Sequence, residues 1–185
     1  MIRALILTRG DQKRLANTLS SLIPGFAEGV LRDGVVVDPQ GSNAIEELTD
    51  EAGCAYRCET GDLISGLSAG LADVKGEWVL CLTDDIELEP GWYQEAHRYI
   101  ERQGRVKQAA AIFPITTDQN GFAGRLTGWI AGVVMRSRGV HNMRSALLIR
   151  CGDFKQLTSA GGGLTRSGGL RPFRLRGRSL QQDFD

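Results

Sequence analysis

The feature that most constrains the fold of this chain is an alternation of short apolar runs with segments whose apolar residues recur at helical spacing. The apolar runs predict buried strands over 2–7, 34–38, 55–58, 78–82 and 109–113, with a shorter strand over 145–150. Helical spacing predicts helices over 15–22, 42–52, 63–71 and 90–100, the first of them ended by Pro24-Gly25. Strands separated by helices of about ten residues are typical of parallel sheets. The pattern therefore predicts an α/β fold, with a mostly parallel central sheet flanked by helices in a single domain.

Composition narrows the class of protein. The chain has 185 residues, enough for one domain with one core, and its 22 basic and 22 acidic side chains give a formal net charge of zero. A neutral chain has no global field that favours nucleic acid, so we expect no nucleic-acid partner. No run approaches the roughly 20 apolar residues of a membrane span, and the run 2–7 is too short for a signal-peptide core. The four cysteines form no C-x-x-C pair. We therefore expect a cytoplasmic protein with reduced thiols.

Two of the predicted strands end in acidic residues. Asp38 follows one buried run, and Asp84-Asp85 follow another. In parallel α/β sheets ligands bind at the carboxyl ends of the strands, so these acids should lie at the ligand edge. An adjacent pair of carboxylates can hold a hard divalent cation that bridges a diphosphate. The alternatives are structural: the acid pair can cap a turn before a solvated acidic stretch, and Asp38 can form a turn before Pro39.

Four sequence blocks carry a resemblance to a known family. They are the opening strand with its polar exit and helix (7–22), the V-V-V-D strand with a nearby Gly-Ser (35–42), the small-residue helix before G-E-W-V-L-C-L (69–82), and T-D-D-I-E-L-E-P-G-W (83–92). The last block is the most specific, because acids followed by Pro-x-Trp recur in that family. Over about residues 1 to 160 the chain resembles glycosyltransferase family 2, which has the GT-A fold.

This resemblance implies a donor and a cofactor. The donor would be a nucleotide-diphosphate sugar, and the cofactor would be a divalent metal, Mn²⁺ or Mg²⁺. Asp84 and Asp85 match the metal and diphosphate acids of the family, and Asp84 would also contact the nucleotide. Such a metal site is consistent with sugar transfer, because a cation that offsets two phosphate charges helps the nucleotide leave.

The resemblance also implies where the nucleoside would bind. Asp38 matches the acid that binds the nucleotide base, and Thr8 and Arg9 would line the same pocket. Asp62 falls near a position that approaches the base or the ribose. A carboxylate at such a position can accept hydrogen bonds from the base or the ribose.

The chain departs from the family in its C-terminal part, which is degenerate or divergent. Members that transfer sugar carry a late E-D-x-D-like motif after a G-G-F-like segment, and its acid deprotonates the acceptor hydroxyl. Here 161–163 match the glycine segment, but 164–171 contain no acid. The catalytic base is therefore unidentified, and Asp153 and Asp183 are the remaining candidates.

Two functions follow from this combination of match and departure. The first is a metal-assisted glycosyltransferase that moves a sugar from a nucleotide-diphosphate sugar to an unknown acceptor. The alternative is a catalytically weak or inactive relative that acts as a nucleotide-binding or interaction protein, and the missing acid favours it. A third interpretation, a nucleotidyltransferase, fits less well, because the loop after the first strand has one glycine where that class carries several. Whether the chain is an enzyme is therefore open at the level of sequence.

The C-terminal stretch differs in composition from the rest. Residues 1–160 form the predicted GT-A-like nucleotide-sugar-binding domain, and 161–185 form a Gly/Arg-rich segment that we expect to be loop or disordered. The cluster Arg166–Arg178 could bind a lipid-linked acceptor or a membrane surface, or it could be a solvated tail. The first option adds a peripheral membrane location to the cytoplasmic one.

Overall fold

A computed structural model gives the structure of the chain and describes residues 1–59, 69–71, 77–103, 110–113, 115–116, 146–154, 173–175 and 179–181. Strands and helices alternate at the start as predicted: β1 (Ile2–Leu7), α1 (Gln12–Ala27), β2 (Leu31–Asp38), α2 (Asn43–Glu51), β3 (Ala55–Cys58), β4 (Trp78–Thr83), β5 (Ile86–Leu88) and α3 (Trp92–Arg102). Short strands follow: β6 (Ala110–Phe113), β7 (Ile115–Thr116), β8 (Ala146–Arg150), β9 (Phe173–Arg174) and β10 (Ser179–Gln181). Residues 69–71 are helical and belong to the predicted helix 63–71, whose other residues lie outside the described part.

Seven of the described strands form one sheet, in the order β3-β2-β1-β4-β8-β6-β9. Strands β1 to β4 run parallel to their neighbours among themselves. Strand β8 is antiparallel to both β4 and β6, and β9 is parallel to β6. The predicted mostly parallel sheet is confirmed. The chain places β2 and β3 on one side of β1 and then returns to place β4 on the other side.

Successive residues of β1 point into two apolar layers, one on each face of the sheet. Ile2, Ala4 and Ile6 belong to the layer that contains the buried residues of α1, α2 and α3. Leu5 and Leu7 belong to the opposite layer, which contains Leu71 and Phe154 from the helical segments 69–71 and 151–154. Because helical segments cover both faces, the central strands are apolar on both sides, as the sequence pattern requires.

Helix α1 does not end at Pro24-Gly25, as predicted, but continues to Ala27. Pro24 lies in the last turn, where the missing N–H removes only one helical hydrogen bond. Gly25 packs beneath α3, and a Cβ added there would come within 2.5 Å of Cζ2 of Trp92. Gly29, at φ +66°, follows the helix in the left-handed conformation that ends many helices. Gly25 therefore serves helix packing, and Gly29 serves helix termination.

A second sheet of three short strands holds part of the C-terminal stretch against the segment that follows the acid pair. Strand β10 lies in its middle, antiparallel to β5 and parallel to β7. Both β9 and β10 fall within 161–185, where the sequence predicted loop or disorder. Strands of two or three residues are too short to produce a periodic pattern, so they left no signal in the sequence. The domain boundary at residue 160 stays a prediction.

Candidate functional site

The carboxyl ends of β2, β1 and β4 lie side by side in one row. This end of the sheet, where the parallel strands finish, is the edge at which the acids lie. The last residue of β1 pairs with Val37 on one side and with Thr83 on the other. The next residues, Asp38, Thr8 and Asp84, are therefore level across three neighbouring strands, with about 5 Å between adjacent strands. Because the chain places β2 and β4 on opposite sides of β1, this row is the topological switch point of the sheet. Open α/β sheets bind ligands at such points.

Asp84 is hydrogen-bonded to the loop that follows β1. Its Oδ2 accepts a hydrogen bond from the Thr8 hydroxyl at 2.9 Å and another from the Arg9 backbone N–H at 2.7 Å. Backbone bonds add to this link: the Thr8 N–H donates to the Val37 carbonyl, and the Asp84 N–H donates to the Leu7 carbonyl, both at 3.0 Å. The exits of the three strands are thus joined into one unit.

The other carboxylate oxygen of Asp84, Oδ1, is buried and has no partner among the described residues. Asp84 is 1% exposed, and its Oδ1 accepts no hydrogen bond within the described part of the chain. Burial raises the pKa of this carboxyl, although the Arg9 N–H and the Thr8 hydroxyl act in the opposite direction. A buried polar oxygen without a donor costs free energy until a ligand or a cation satisfies it. A ligand or cation that contacts Oδ1 of Asp84 would therefore remove this free-energy cost and gain affinity from doing so.

Asp85 follows in the turn that leads into β5. It is 6% exposed, and its Oδ1 accepts a hydrogen bond from the Thr83 hydroxyl. The Asp84 carbonyl accepts a hydrogen bond from the Thr18 hydroxyl of α1 at 3.0 Å, which ties the turn to the helix. Two carboxylates are thus held in one short turn. In the regions that the structure describes, no group of three or more His, Cys, Asp or Glu side chains could hold a metal ion.

Asp38 is completely buried, and its carboxylate is engaged by neighbouring groups. Its Oδ1 accepts from the Gln40 N–H at 2.9 Å, and its Oδ2 accepts from the Ser42 N–H at 2.8 Å and from the Tyr56 hydroxyl at 3.1 Å. Burial, helped by Asp38, raises the pKa of Tyr56 to about 12, so this hydroxyl keeps its proton and donates. Asp38 therefore shapes the loop 39–42 in the manner of a turn-forming acid, and its contact with a base stays a prediction.

The structure does not bring every predicted site residue to this edge. Asp153 lies in the helical segment 151–154, directly after β8. Strand β8 is antiparallel to β4, with Arg150 opposite Trp78, so Asp153 follows β8 at the other edge of the sheet. Six residues of strand rise separate Trp78 from Asp84, which is roughly 20 Å. Outside the described residues lie Asp62, Asp183 and, apart from 173–175, the cluster Arg166–Arg178.

A cleft of about 650 Å³ opens at the other edge of the sheet, away from the acids. Its lining includes Met1 and Ile2 at the start of β1, with Tyr93, His97 and Glu101 of α3. None of the predicted site residues that the structure describes lines it. Asp84, whose Oδ1 has no hydrogen-bond partner in the described structure, does not line it either. Volume alone does not make a site, and we place the candidate site at the carboxyl ends of the strands.

Sequence reasoning missed two residues at the candidate site, Gln40 and Tyr56. The Gln40 side chain donates from Nε2 to the Arg9 carbonyl at 3.0 Å, across the gap between the loops 8–11 and 39–42. Tyr56 reaches Asp38 because β3 pairs with β2, with Cys58 opposite Asp38. Both contacts depend on the register of neighbouring strands and the course of a loop, which one sequence does not reveal.

The row of strand exits, the switch point and the buried acid pair define a GT-A-like α/β protein. The chain belongs to glycosyl transferase family 2, whose family model matches residues 5–157. The resemblance inferred from the sequence is thereby confirmed. No curated protein matches the sequence. Within the described ranges, no helix has the length and apolar character needed to cross a bilayer.

Several solved structures are similar to this chain. Glucosyl-3-phosphoglycerate synthase from Mycobacterium tuberculosis, in complex with Mn²⁺, uridine diphosphate and glucosyl-3-phosphoglycerate, is 12% identical, with a TM-score of 0.56 over 82% of this chain and 57% of its own. A nucleotidyl transferase from Methanothermobacter thermautotroptrophicus is 13% identical, with a TM-score of 0.57 over 95% of this chain and 88% of its own. Residues 1–349 of TarS from S. aureus are 17% identical, with a TM-score of 0.49 over 65% of this chain, which spans only 38% of that TarS structure. At these identities the likeness concerns the fold alone.

Proposed function

We propose that this chain binds a nucleotide-diphosphate sugar at the carboxyl ends of β2, β1 and β4 and transfers the sugar to an acceptor. The observation that carries the proposal is the buried Oδ1 of Asp84, which has no hydrogen-bond partner in the described part of the chain and lies beside Asp85 at the switch point. A cation or ligand there would satisfy an oxygen whose burial costs free energy in the free chain. Membership of glycosyl transferase family 2 supports sugar transfer as the reaction.

The acid pair fits a divalent cation whose coordination shell is completed by the phosphates of the sugar donor. Mg²⁺ is usually held by one or two carboxylates together with substrate phosphates, and it does not need a cage made only of protein groups. Asp84 and Asp85 supply two hard oxygen ligands from one turn, and one of the oxygens has no other partner in the described structure. Mn²⁺ or Mg²⁺ bound there would offset the phosphate charges and help the nucleotide leave.

The chain's own groups would position the donor on both sides of the cation. Arg9 is exposed directly beside Asp84, so its guanidinium can reach phosphate oxygens. The loops 8–11 and 39–42 would hold the nucleoside, with Thr8 and Asp38 at their base. Asp62 is proposed for the same end of the site on the strength of the family resemblance.

Transfer to a hydroxyl acceptor needs a base that removes the hydroxyl proton. We propose Asp183 for this role in preference to Asp153. Strand β10 is antiparallel to β5, with Gln181 opposite Ile86, so the chain direction leads from Gln181 towards Asp85. Two further residues span at most about 7 Å. Asp153, in contrast, follows a strand that ends at the other edge of the sheet.

A catalytically weak or inactive relative is the second candidate. The observation that favours it is the acid-free stretch 164–171, which follows the glycines 161–163. Such a protein would bind the nucleotide sugar without transferring it, and it would act as a binding or interaction protein. General-base help is worth roughly 10²–10⁴-fold, so a rate measurement separates the two functions.

The acceptor is proposed only as a class. The cluster Arg166–Arg178 supports an anionic acceptor, either a lipid-linked one or a group at a membrane surface. Binding of vesicles that contain anionic lipid, compared with vesicles of neutral lipid, tests this at physiological salt. Equal binding to both kinds of vesicle would remove the lipid surface from the proposal.

Calorimetry with uridine diphosphate, with and without Mn²⁺, tests the donor site. Asp84→Ala and Asp85→Ala should weaken the binding of uridine diphosphate by roughly tenfold or more, the range of a lost charged contact, because a cation held by these acids would contact the phosphates. Binding of uridine should change little. Asp50→Ala removes an exposed acid of α2 and is the matched control. Equal losses for the nucleoside and the diphosphate, or no effect of Mn²⁺ on the wild type, would contradict the proposed site.

A further inference from the structure

One buried hydroxyl of α1 forms its hydrogen bond outside its own helix. Hydroxyls inside helices commonly donate to the carbonyl three or four residues earlier, and those of Ser20, Ser21 and Thr49 do so. Thr18, in the middle of α1, donates instead to the Asp84 carbonyl at 3.0 Å, across 66 residues of sequence. Both of these residues are buried, at 0% and 1% exposure. The bond therefore joins the body of a helix to the turn that carries the acid pair.

The surroundings of Thr18 would suit an apolar side chain of the same shape. Thr18 lies on the buried face of α1, together with Leu15, Leu19 and Leu22. A hydroxyl on such a face costs free energy unless it is hydrogen-bonded, so packing alone does not call for one. What this hydroxyl supplies is a donor for a carbonyl in the turn that follows β4.

The Asp84 carbonyl belongs to the peptide group that connects the two acids. Because a peptide group is planar, a bond that fixes this carbonyl also fixes the direction in which the backbone enters Asp85. Thr8 donates to Oδ2 of Asp84, and Thr83 donates to Oδ1 of Asp85. The Thr18 bond holds the backbone between these two carboxylates. Like charges in one turn repel each other, and a peptide group without this bond would be free to turn and move them apart.

We propose that Thr18 is a positioning residue for the divalent cation site at Asp84 and Asp85, an inference that rests on the proposed function above. Groups that orient the ligands of a metal contribute to its affinity almost as much as the ligands do, and their loss typically costs about 10–100-fold. Thr18 acts through the peptide group between the acids and not by contact with the cation or the nucleotide. Its role should therefore be visible in binding that depends on the cation and absent from binding that does not.

The test uses three substitutions at one position. Thr18→Val keeps the shape of the side chain and removes the donor. Thr18→Ser and Thr18→Ala both lack the γ-methyl group and differ from each other only in the hydroxyl, so their comparison isolates the hydrogen bond even where Thr18→Val does not fold. Thr49→Val is the matched control, because it removes an equally buried hydroxyl whose bond to the Ile45 carbonyl lies within α2.

The measured quantity is the factor by which Mn²⁺ tightens the binding of uridine diphosphate, obtained by calorimetry with and without the ion. Thr18→Val and Thr18→Ala should reduce this factor by about tenfold, the lower end of the range for groups that orient metal ligands. Thr18→Ser and Thr49→Val should keep the wild-type factor. Binding of uridine, and of uridine diphosphate without Mn²⁺, should change little in all four variants, since neither depends on the cation.

The outcomes separate this inference from the function on which it rests. A wild type whose affinity for uridine diphosphate does not respond to Mn²⁺ would overturn the proposed site and this inference with it. A wild-type factor in Thr18→Ala would overturn the role of Thr18 alone. So would equal losses in Thr18→Ser and Thr18→Ala, because the hydroxyl would then not be the cause. A matching loss of uridine binding would also overturn it, since the whole site would then have loosened. Urea unfolding of each variant checks that binding is measured on folded protein.

Discussion

The Thr8 hydroxyl makes two hydrogen bonds, one that supports the buried Asp84 carboxylate and one that holds the loop after β1. Its hydroxyl donates to Asp84 Oδ2 at 2.9 Å and accepts from the Gly10 N–H at 3.0 Å. Thr8 is itself 0% exposed, so water cannot take over either bond. One hydroxyl thus stabilises the charged form of Asp84 and also holds the turn that faces Gln40.

Thr8→Val should lower the free energy of unfolding by about 1.5–3 kcal/mol, because it removes a hydrogen bond to a charged group. Thr49→Val is the matched control. Thr49 is also 0% exposed, but its hydroxyl donates only to the Ile45 carbonyl within α2, at 2.7 Å. Its loss should cost about 1 kcal/mol or less. Urea unfolding at neutral pH measures both, and equal losses would show that Thr8 does not support the acid.

The sequence predicted which residue types stand at the strand exits, but not what each one contacts. Asp84 and Asp38 follow apolar runs, and the parallel sheet brings both to one edge, as expected. The sequence did not distinguish their surroundings, although within the described residues one oxygen of Asp84 has no hydrogen-bond partner and the Asp38 carboxylate has three donors. That difference depends on loop geometry and on Tyr56 from a neighbouring strand, and it has no counterpart in the local pattern.

At the scale of elements, the contact between α1 and α3 depends on the absence of a side chain. Gly25 faces Trp92, which is 0% exposed and whose Nε1–H donates to the Ser21 carbonyl at 3.0 Å. The indole therefore has no room to move and is held by a hydrogen bond. Helices pack most closely where one of them presents a small residue.

Gly25→Ala should destabilise the protein although alanine is the better helix former. Overpacking costs about 1–3 kcal/mol, against a gain of about 1 kcal/mol in helix propensity. Gly152→Ala is the control, since Gly152 is also helical and a Cβ there meets nothing within 4 Å. Thermal unfolding should show a lower Tm for the first variant only. A rise in Tm for Gly25→Ala would mean that α3 can shift away.

Long elements were predictable and short ones were not. Strands β1 and β4 each have six residues of mostly apolar character, and β2 contains the apolar run 35–37, which the sequence displays directly. Strands β5, β7, β9 and β10 have two or three residues and exist because a neighbouring strand supplies hydrogen-bonding partners. Pro24-Gly25 was misinterpreted for a related reason, since a glycine that packs and a glycine that ends a helix look alike in sequence.

At the scale of the whole molecule, the direction in which each strand runs distinguishes the two candidates for the catalytic base, Asp183 and Asp153. Strand β10 leads the chain towards the acid pair, and β8 leads it away. Asp183→Asn should therefore reduce sugar transfer by roughly 10²–10⁴-fold, with the affinity for uridine diphosphate unchanged. Asp153→Asn should leave the rate near that of the wild type. Release of uridine diphosphate from a panel of donor sugars, with simple and lipid-linked acceptors, measures the rate.

Each result of this comparison has a definite meaning. Loss of rate in Asp153→Asn instead would show that the acceptor approaches from the other edge of the sheet. A wild type that binds the donor but turns over no acceptor would support the inactive relative. A drop in donor affinity in Asp183→Asn would mean that this residue contributes to binding and not to proton removal.

The central place of β1 in the sheet has a consequence for how the protein is made. Its neighbour on one side lies about 30 residues further along the chain, as the Arg3–Asp33 pair shows, whereas its neighbour on the other side lies 76 residues further, as the Thr8–Asp84 pair shows. A nascent chain therefore carries β1 with one unpaired edge until β4 leaves the ribosome. Unpaired apolar strand edges are where chains associate with one another. Newly made protein should thus need protection from aggregation until this pairing, slow to form because of its sequence separation, closes the sheet.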